Sequence, residues 1–194
     1  MTVIDAILAR RSVGPRYLGL PGPGPHDLRL LAAAAAAAPD HGRLGPCRLI
    51  LIPKDKRNDL AAVFVKAVRA ADPTATDATV KAARERAIAG PVLLAIIAHI
   101  QEDHPDIPPR EQWISVGAAL QNVLLAAEAR GFAAKMVSGR RVTSPVMRAA
   151  FGLGDNDHLV GFAMLGTADS DARAKPSLRR TTDQVLSEWV PPKD

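Results

Sequence analysis

The sequence predicts an α+β fold with about four buried strands and five or six helices. Three observations carry this. Four short apolar runs have the length and closing residues of buried strands, at residues 49–52, 91–99, 132–138 and 158–166. Between them lie longer stretches whose apolar residues recur at helical spacing. Proline falls at the joints between these stretches, as does most of the glycine. With no internal repeat and no flexible linker, residues 1–194 read as a single domain.

In order, Val3, Ile4, Ile7 and Leu8 give an amphipathic helix over residues 3–11, ending at Arg10-Arg11-Ser12. Gly14-Pro15, and then the Gly-Pro-rich run 19–25, predict a loop with no room for regular structure. Pro25 suits the first position of a second helix, which passes through the seven alanines Ala32–Ala38 and stops at Pro39. An alanine helix is thin, so a neighbouring backbone or a flat ligand can come close; high-GC codon bias in a surface helix explains the run equally well. Leu49–Ile52 is the first strand, closed by Pro53. Helices follow over 55–72 and 76–89, split by Asp72-Pro73-Thr74. Pro91 opens the second strand, and residues 101–109 form a polar loop.

Glu111–Arg130 is the longest helix, ended by Gly131. Its stretch from Val116 to Ala127 is apolar on nearly all faces, so it is expected to be buried all round, at a subunit interface. Phe132–Ser138 is the third strand. Ser144-Pro145 opens a helix over 146–151, and His158–Gly166 is the fourth strand.

Composition excludes several classes. Apolar residues make up 47% and charged residues 23%, which rules out a wholly disordered chain. No apolar run reaches the roughly 18 residues that a membrane span needs. The net charge is +5, but the basic residues are scattered in pairs such as Arg10-Arg11, Arg140-Arg141 and Arg179-Arg180. Aromatics are only 4%, too few for base stacking, so no nucleic-acid partner is expected. The early Asp5 breaks any signal-peptide pattern, and the one cysteine, Cys47, can form no internal disulfide; both point to the cytoplasm. Cys47 reads as a small buried hydrophobe. His99 and His104 bracket two acids, yet His-x4-His fits no tight metal template, so no metal site is expected. Neither a Rossmann nor a P-loop glycine motif is present.

Arg10-Arg11-Ser12 offers two guanidinium forks and a hydroxyl at one turn, which makes an anion receptor. The same residues at a helix C-terminus also complement the helix dipole. In chain order there follow Ala38-Pro39-Asp40-His41 with Leu44 and Pro46, then the run from Gly117 to Gly131-Phe132, then Ser138-Gly139, then Val160-Gly161-Phe162 with Gly166-Thr167. This ordered set resembles the FMN-dependent nitroreductase family, in its small-subunit branch, over residues 3–168.

The resemblance implies a central, mostly antiparallel sheet flanked by helices in an intertwined homodimer, with two FMN sites at the interface. It implies that NADH or NADPH donates a hydride to flavin N5, and that an electron-poor small molecule such as a nitroaromatic or quinone accepts it. By the resemblance, Arg10, Arg11 and Ser12 hold the FMN phosphate and ribityl chain. His41 approaches the ring from the other subunit. Met136, Val137, Ser138 and Gly139 pass beside the ring, and Arg180, or its neighbour Arg179, reaches the phosphate. A histidine capping the turn after Pro39-Asp40 is the alternative for His41. No side chain is assigned as catalytic, because the flavin supplies the reactivity.

Two departures stand out. Gly45-Pro46-Cys47 replaces the family's Gln-Pro-Trp, removing an aromatic. Gly14-Pro15 stands where a basic residue usually follows Arg-Arg-Ser-x, leaving Arg16 as the substitute, while the tail carries Lys175 with Arg179 and Arg180. An FMN-binding protein with a storage, sensing or flavin-modifying role is the alternative on the same fold.

Overall fold

A computed structural model describes residues 2–174 and 179–192. Eleven regular elements run in the order α1 (Val3–Ala9), β1 (Leu18–Gly19), α2 (Pro25–Ala36), β2 (Cys47–Leu51), α3 (Arg57–Ala71), α4 (Asp77–Ile88), β3 (Val92–His99), α5 (Pro109–Ala129), β4 (Ala133–Val137), α6 (Pro145–Ala150) and β5 (Asp157–Ala168). The helix starts follow local chemistry. Thr2 and Asp5 close a capping box on α1, with bonds of 3.1 and 2.8 Å. Thr76 and Ser144 cap α4 and α6 through their hydroxyls. Pro25, Pro109 and Pro145 sit in the first turns of their helices, where no amide hydrogen is needed.

All strand pairs are antiparallel. The sheet order is β1-β5-β3-β2, with β4 also paired to β5. Thus β5 is the centre, with β3 along one side and β4 and β1 in succession along the other. Alternation divides the sheet into two apolar layers. Leu93, Ile97, Phe162 and Met164 face α3, α4 and α6; Leu94, Ile96, Ala163 and Leu165 face α2 and α5.

The observed elements differ from the expected ones in identifiable ways. Gly19 is not in a structureless loop: with Leu18 it forms a two-residue strand against Thr167 and Ala168. Two residues are too few to show an alternating pattern. The first helix ends at Ala9 rather than residue 11, and α2 stops at Ala36, because the approach to Pro39 disfavours helical backbone. Cys47 opens β2 instead of preceding it. The long helix α5 is not buried all round within one chain. Val116, Ala119, Val123 and Ala127 face the sheet, while Gly117 and Gln121 on the outer side are exposed, as is Ile114 one turn earlier.

Candidate functional site

The chemistry of the site begins at a bulge. Ile96 faces Gly161 and Ile97 faces Leu159, so Val160 is an extra residue in β5. Gly161 has φ +154°, and a Cβ there would collide with the Met136 methyl and the Val137 carbonyl. Glycine therefore lets the end of β4 lie close against β5. The freed Val160 carbonyl accepts a hydrogen bond from the Ser138 hydroxyl at 2.9 Å. Gly139, at φ +140°, then turns the chain into the short turn Arg140–Thr143.

Beyond this strand end lies a cavity of about 450 Å³. Its floor is apolar: Phe64, Leu93, Met147, Phe162 and Met164. Its edge carries Val137, Ser138 and Gly139, and four cations, Arg86, Lys135, Arg140 and Arg141. Among the described residues no carboxylate, imidazole or thiol lines it. Arg141 lies over the Phe64 ring, 5.0 Å from its centroid, and Phe64 packs edge-on to Phe162 at 5.4 Å. Burial, and then the nearby Arg86 charge, lower the Arg141 pKa from its usual value.

The Arg10–Ser12 turn runs beside this cavity, against the same strand. Ser12 bridges Ala134 in parallel, and the Val13 amide donates to the Ala134 carbonyl at 3.2 Å. Arg10 and Ser12 stay close, with Nη1 3.5 Å from Oγ. Arg11 turns back instead: one guanidinium nitrogen donates to the carbonyls of Leu8, Ala9 and Arg10, the behaviour of a helix-end cation. The Arg179 guanidinium donates to the Arg10 carbonyl at 2.7 Å, which ties the C-terminal segment to the turn, and Arg180 beside it is exposed.

Other residues singled out from the sequence lie apart. Met136 points to the opposite layer, against the α2–α5 face. His41 is exposed and its Nδ1 sits 2.8 Å from Glu111 at the start of α5, remote from the cavity within one chain. Arg16 stacks on Tyr17 and does not line the cavity. Lys175 lies outside the described residues. The Cys47 thiol is half-buried, and burial raises its pKa, which keeps it protonated. His99 is held by Asp157 at 3.0 Å, while His104 accepts from the amides of Asp106 and Ile107. Among the described residues no cluster of histidine, cysteine and acids could hold a metal, and no helix is long and apolar enough to cross a membrane.

Sequence reasoning missed Lys135, Arg86 and the role of Arg140-Arg141. The period-two alternation of β4 places Lys135 on the same face as Val137, so that residue was within reach. Arg86 was not, because only the sheet topology brings α4 to the end of β4.

Three comparisons agree with this architecture. The sequence profile of the Nitroreductase family matches residues 7–167. The chain is 32% identical over 167 residues to "Putative NAD(P)H nitroreductase YdjA" of Escherichia coli (strain K12), covering 86% of this chain and 88% of that one. Among solved structures, a nitroreductase-like family protein from Bacillus cereus superposes with a TM-score of 0.80 at 22% identity, covering 97% and 96% of the two chains. The FMN and NADPH-dependent nitroreductase NfnB from a sphigopyxis strain superposes at 0.73 and 21% identity, over 98% and 100%. Ordered motifs, sheet topology and profile converge on one conclusion: the chain belongs to the nitroreductase family.

Proposed function

We propose that the protein is an FMN-dependent oxidoreductase that draws on NADH or NADPH and reduces an electron-poor small molecule, such as a nitroaromatic or quinone. The observation that carries this is the cavity at the end of β4, with an apolar floor, a cationic edge and, among the described residues, no acid. Its donor set fits FMN. The flat ring needs an apolar slot with donors at its polar edge, and the phosphate dianion needs clustered cations. Val137, Ser138 and Gly139 lie beside the ring. Arg10, Ser12 and the Arg179–Arg180 segment hold the phosphate and ribityl chain; Arg11 braces the turn. Bound flavin supplies the two-electron chemistry.

The chain's own residues orient and desolvate the reactants. The Ser138 bond to Val160 fixes the strand end, and the buried Phe64–Phe162 pair excludes water beneath the slot. Positive charge around the cavity stabilises electron density as it builds up. The active form is a homodimer, in which the outer face of α5 is covered and His41 of each copy serves the site of the other. That one structural neighbour is an FMN and NADPH-dependent nitroreductase, and that the Escherichia coli relative carries an NAD(P)H nitroreductase name, supports the reading.

The test is an absorbance titration of purified protein with FMN, followed by anaerobic stopped-flow mixing with NADH and with NADPH. Saturable yellow complex formation and bleaching by a nicotinamide are expected. Bound flavin that is not bleached by either donor would remove the enzymatic reading. Absence of any flavin complex would remove both.

A further inference from the structure

Four cations surround the cavity, and the phosphate reading uses none of them. Arg141 is half-buried, fixed over Phe64, and close enough to Arg86 for the two charges to disfavour one another. Among the described residues neither guanidinium has a side-chain hydrogen bond or an acidic partner, and no acid lines the cavity. Two like charges held together at an apolar pocket are most stable with an anion between them. Beneath them Phe64, Phe162 and Met164 floor the slot that the reading above gives to the flavin, whose outer face is the surface an aromatic acceptor would stack on.

We propose that Arg86 and Arg141 form a subsite for a carboxylate on the electron acceptor, so that the preferred acceptor is a flat, electron-poor aromatic acid. This rests on the reductase reading above. The planar guanidinium of Arg141 meets the carboxylate as a fork, while Arg86, on the last turn of α4, closes over it from the rim. For a nitroaromatic acid the balance is RNO2 + NAD(P)H + H⁺ → RNO + NAD(P)⁺ + H2O. The nitro group gains two electrons, the nicotinamide is oxidised, solvent gives the second proton, and the carboxylate is unchanged.

The test compares 4-nitrobenzoate with its neutral analogue 4-nitrobenzamide, using the FMN-loaded protein and its Arg86→Gln, Arg141→Gln and Arg141→Lys variants. In the parent, kcat/KM for the acid is expected to exceed that for the amide at least tenfold. Each glutamine variant lowers that ratio at least tenfold, mainly through KM for the acid, and Arg141→Lys restores part of it. Arg86 is exposed on α4, so Arg86→Gln remains informative if Arg141→Gln folds poorly. Calorimetric binding of 2-naphthoate, which is not reduced, gives a second readout, with a tenfold weaker Kd expected in the glutamine variants. A ratio that stays within twofold of the parent overturns the proposal. So does a loss of FMN content with an unchanged ratio, which would assign the pair to the flavin instead. If the protein takes up no FMN, the reductase reading fails, and naphthoate binding still decides the subsite: tight and arginine-dependent upholds it, indifferent to both variants overturns it.

Discussion

At the scale of single residues, the adjacent arginines of the first turn have different duties. Arg11 spends its guanidinium on three carbonyls of α1, whereas Arg10 stands with Ser12 beside the strand that edges the cavity. Arg10→Ala is expected to weaken FMN binding at least tenfold, about 1.4 kcal/mol, with a thermal midpoint near the parent's. Arg11→Ala should instead lower the midpoint and weaken FMN less; flavin fluorescence and calorimetry on the two variants check this. Asp157 gives a second prediction. It accepts from His99 at 3.0 Å, from the Gly154 amide at 3.2 Å and from Arg48 at 3.3 Å, at the start of β5. Chiefly the His99 bond holds its pKa below the usual 3.8. A lowered folded-state value means that the stabilisation is whole above that usual value and drains as pH falls through the lower one. Asp157→Asn should cost about 1–3 kcal/mol near neutrality. The gap between variant and parent in urea midpoints should shrink toward pH 3.

Among the elements, α4 depends on a residue of α3. Arg57 is only 5% exposed, yet it is charged. Burial lowers its pKa, but a guanidinium remains protonated in a protein. It donates to the carbonyls of Ile52 at 3.1 Å and of Ala87 and Ala89 at 3.4 Å. The last two are at the end of α4, so the cation closes that helix and meets the negative end of its dipole. Arg57→Met fills the space and leaves the carbonyls bare, at an expected cost of about 2–4 kcal/mol. Because Arg86 is on that last turn, the variant should also lose part of any preference for acidic acceptors; denaturant unfolding and the acceptor ratio measure the two effects. This dependence also marks where the sequence stops being legible. Pro25, Pro39, Gly131 and Ser144-Pro145 announce helix limits, because each acts through its own backbone. The strand runs at 91–99 and 158–166 show through continuous apolarity. Arg57 looks like one more surface charge in a helix, and Arg86 is separated from Lys135 and Arg141 by dozens of residues. That meeting is a property of the sheet, so the strand end with Lys135 could be read in advance and the approach of Arg86 could not.

For the molecule as a whole, the open question of its outer surface has a direct measurement. Val3, Ile4 and Leu8 on α1 and Ile114 on α5 are each more than half exposed in one chain. So are Val185, Leu186, Trp189 and Val190 near the C-terminus. These side chains are the ones a second copy would cover. Sedimentation equilibrium should give a dimer at micromolar protein, and Ile114→Asp should shift it toward monomer with reduced FMN uptake. A parent that sediments as a stable folded monomer would count against the shared site. The central place of β5 bears on something else, the order in which the chain is made. Among the described residues β5 is the last strand in the sequence, and β1 and β4 have no strand partner but β5. Until residues 157–168 leave the ribosome, β3 keeps one edge open and the turn that carries Arg10 has nothing to dock on but an unpaired β4. Contacts such as Leu18 with Ala168 join the two ends of the fold across some 150 residues, the long-range pairing that slows folding. During synthesis the chain therefore passes through a stage with an apolar β3 edge exposed, when strand-to-strand aggregation competes with completion and a chaperone would matter most.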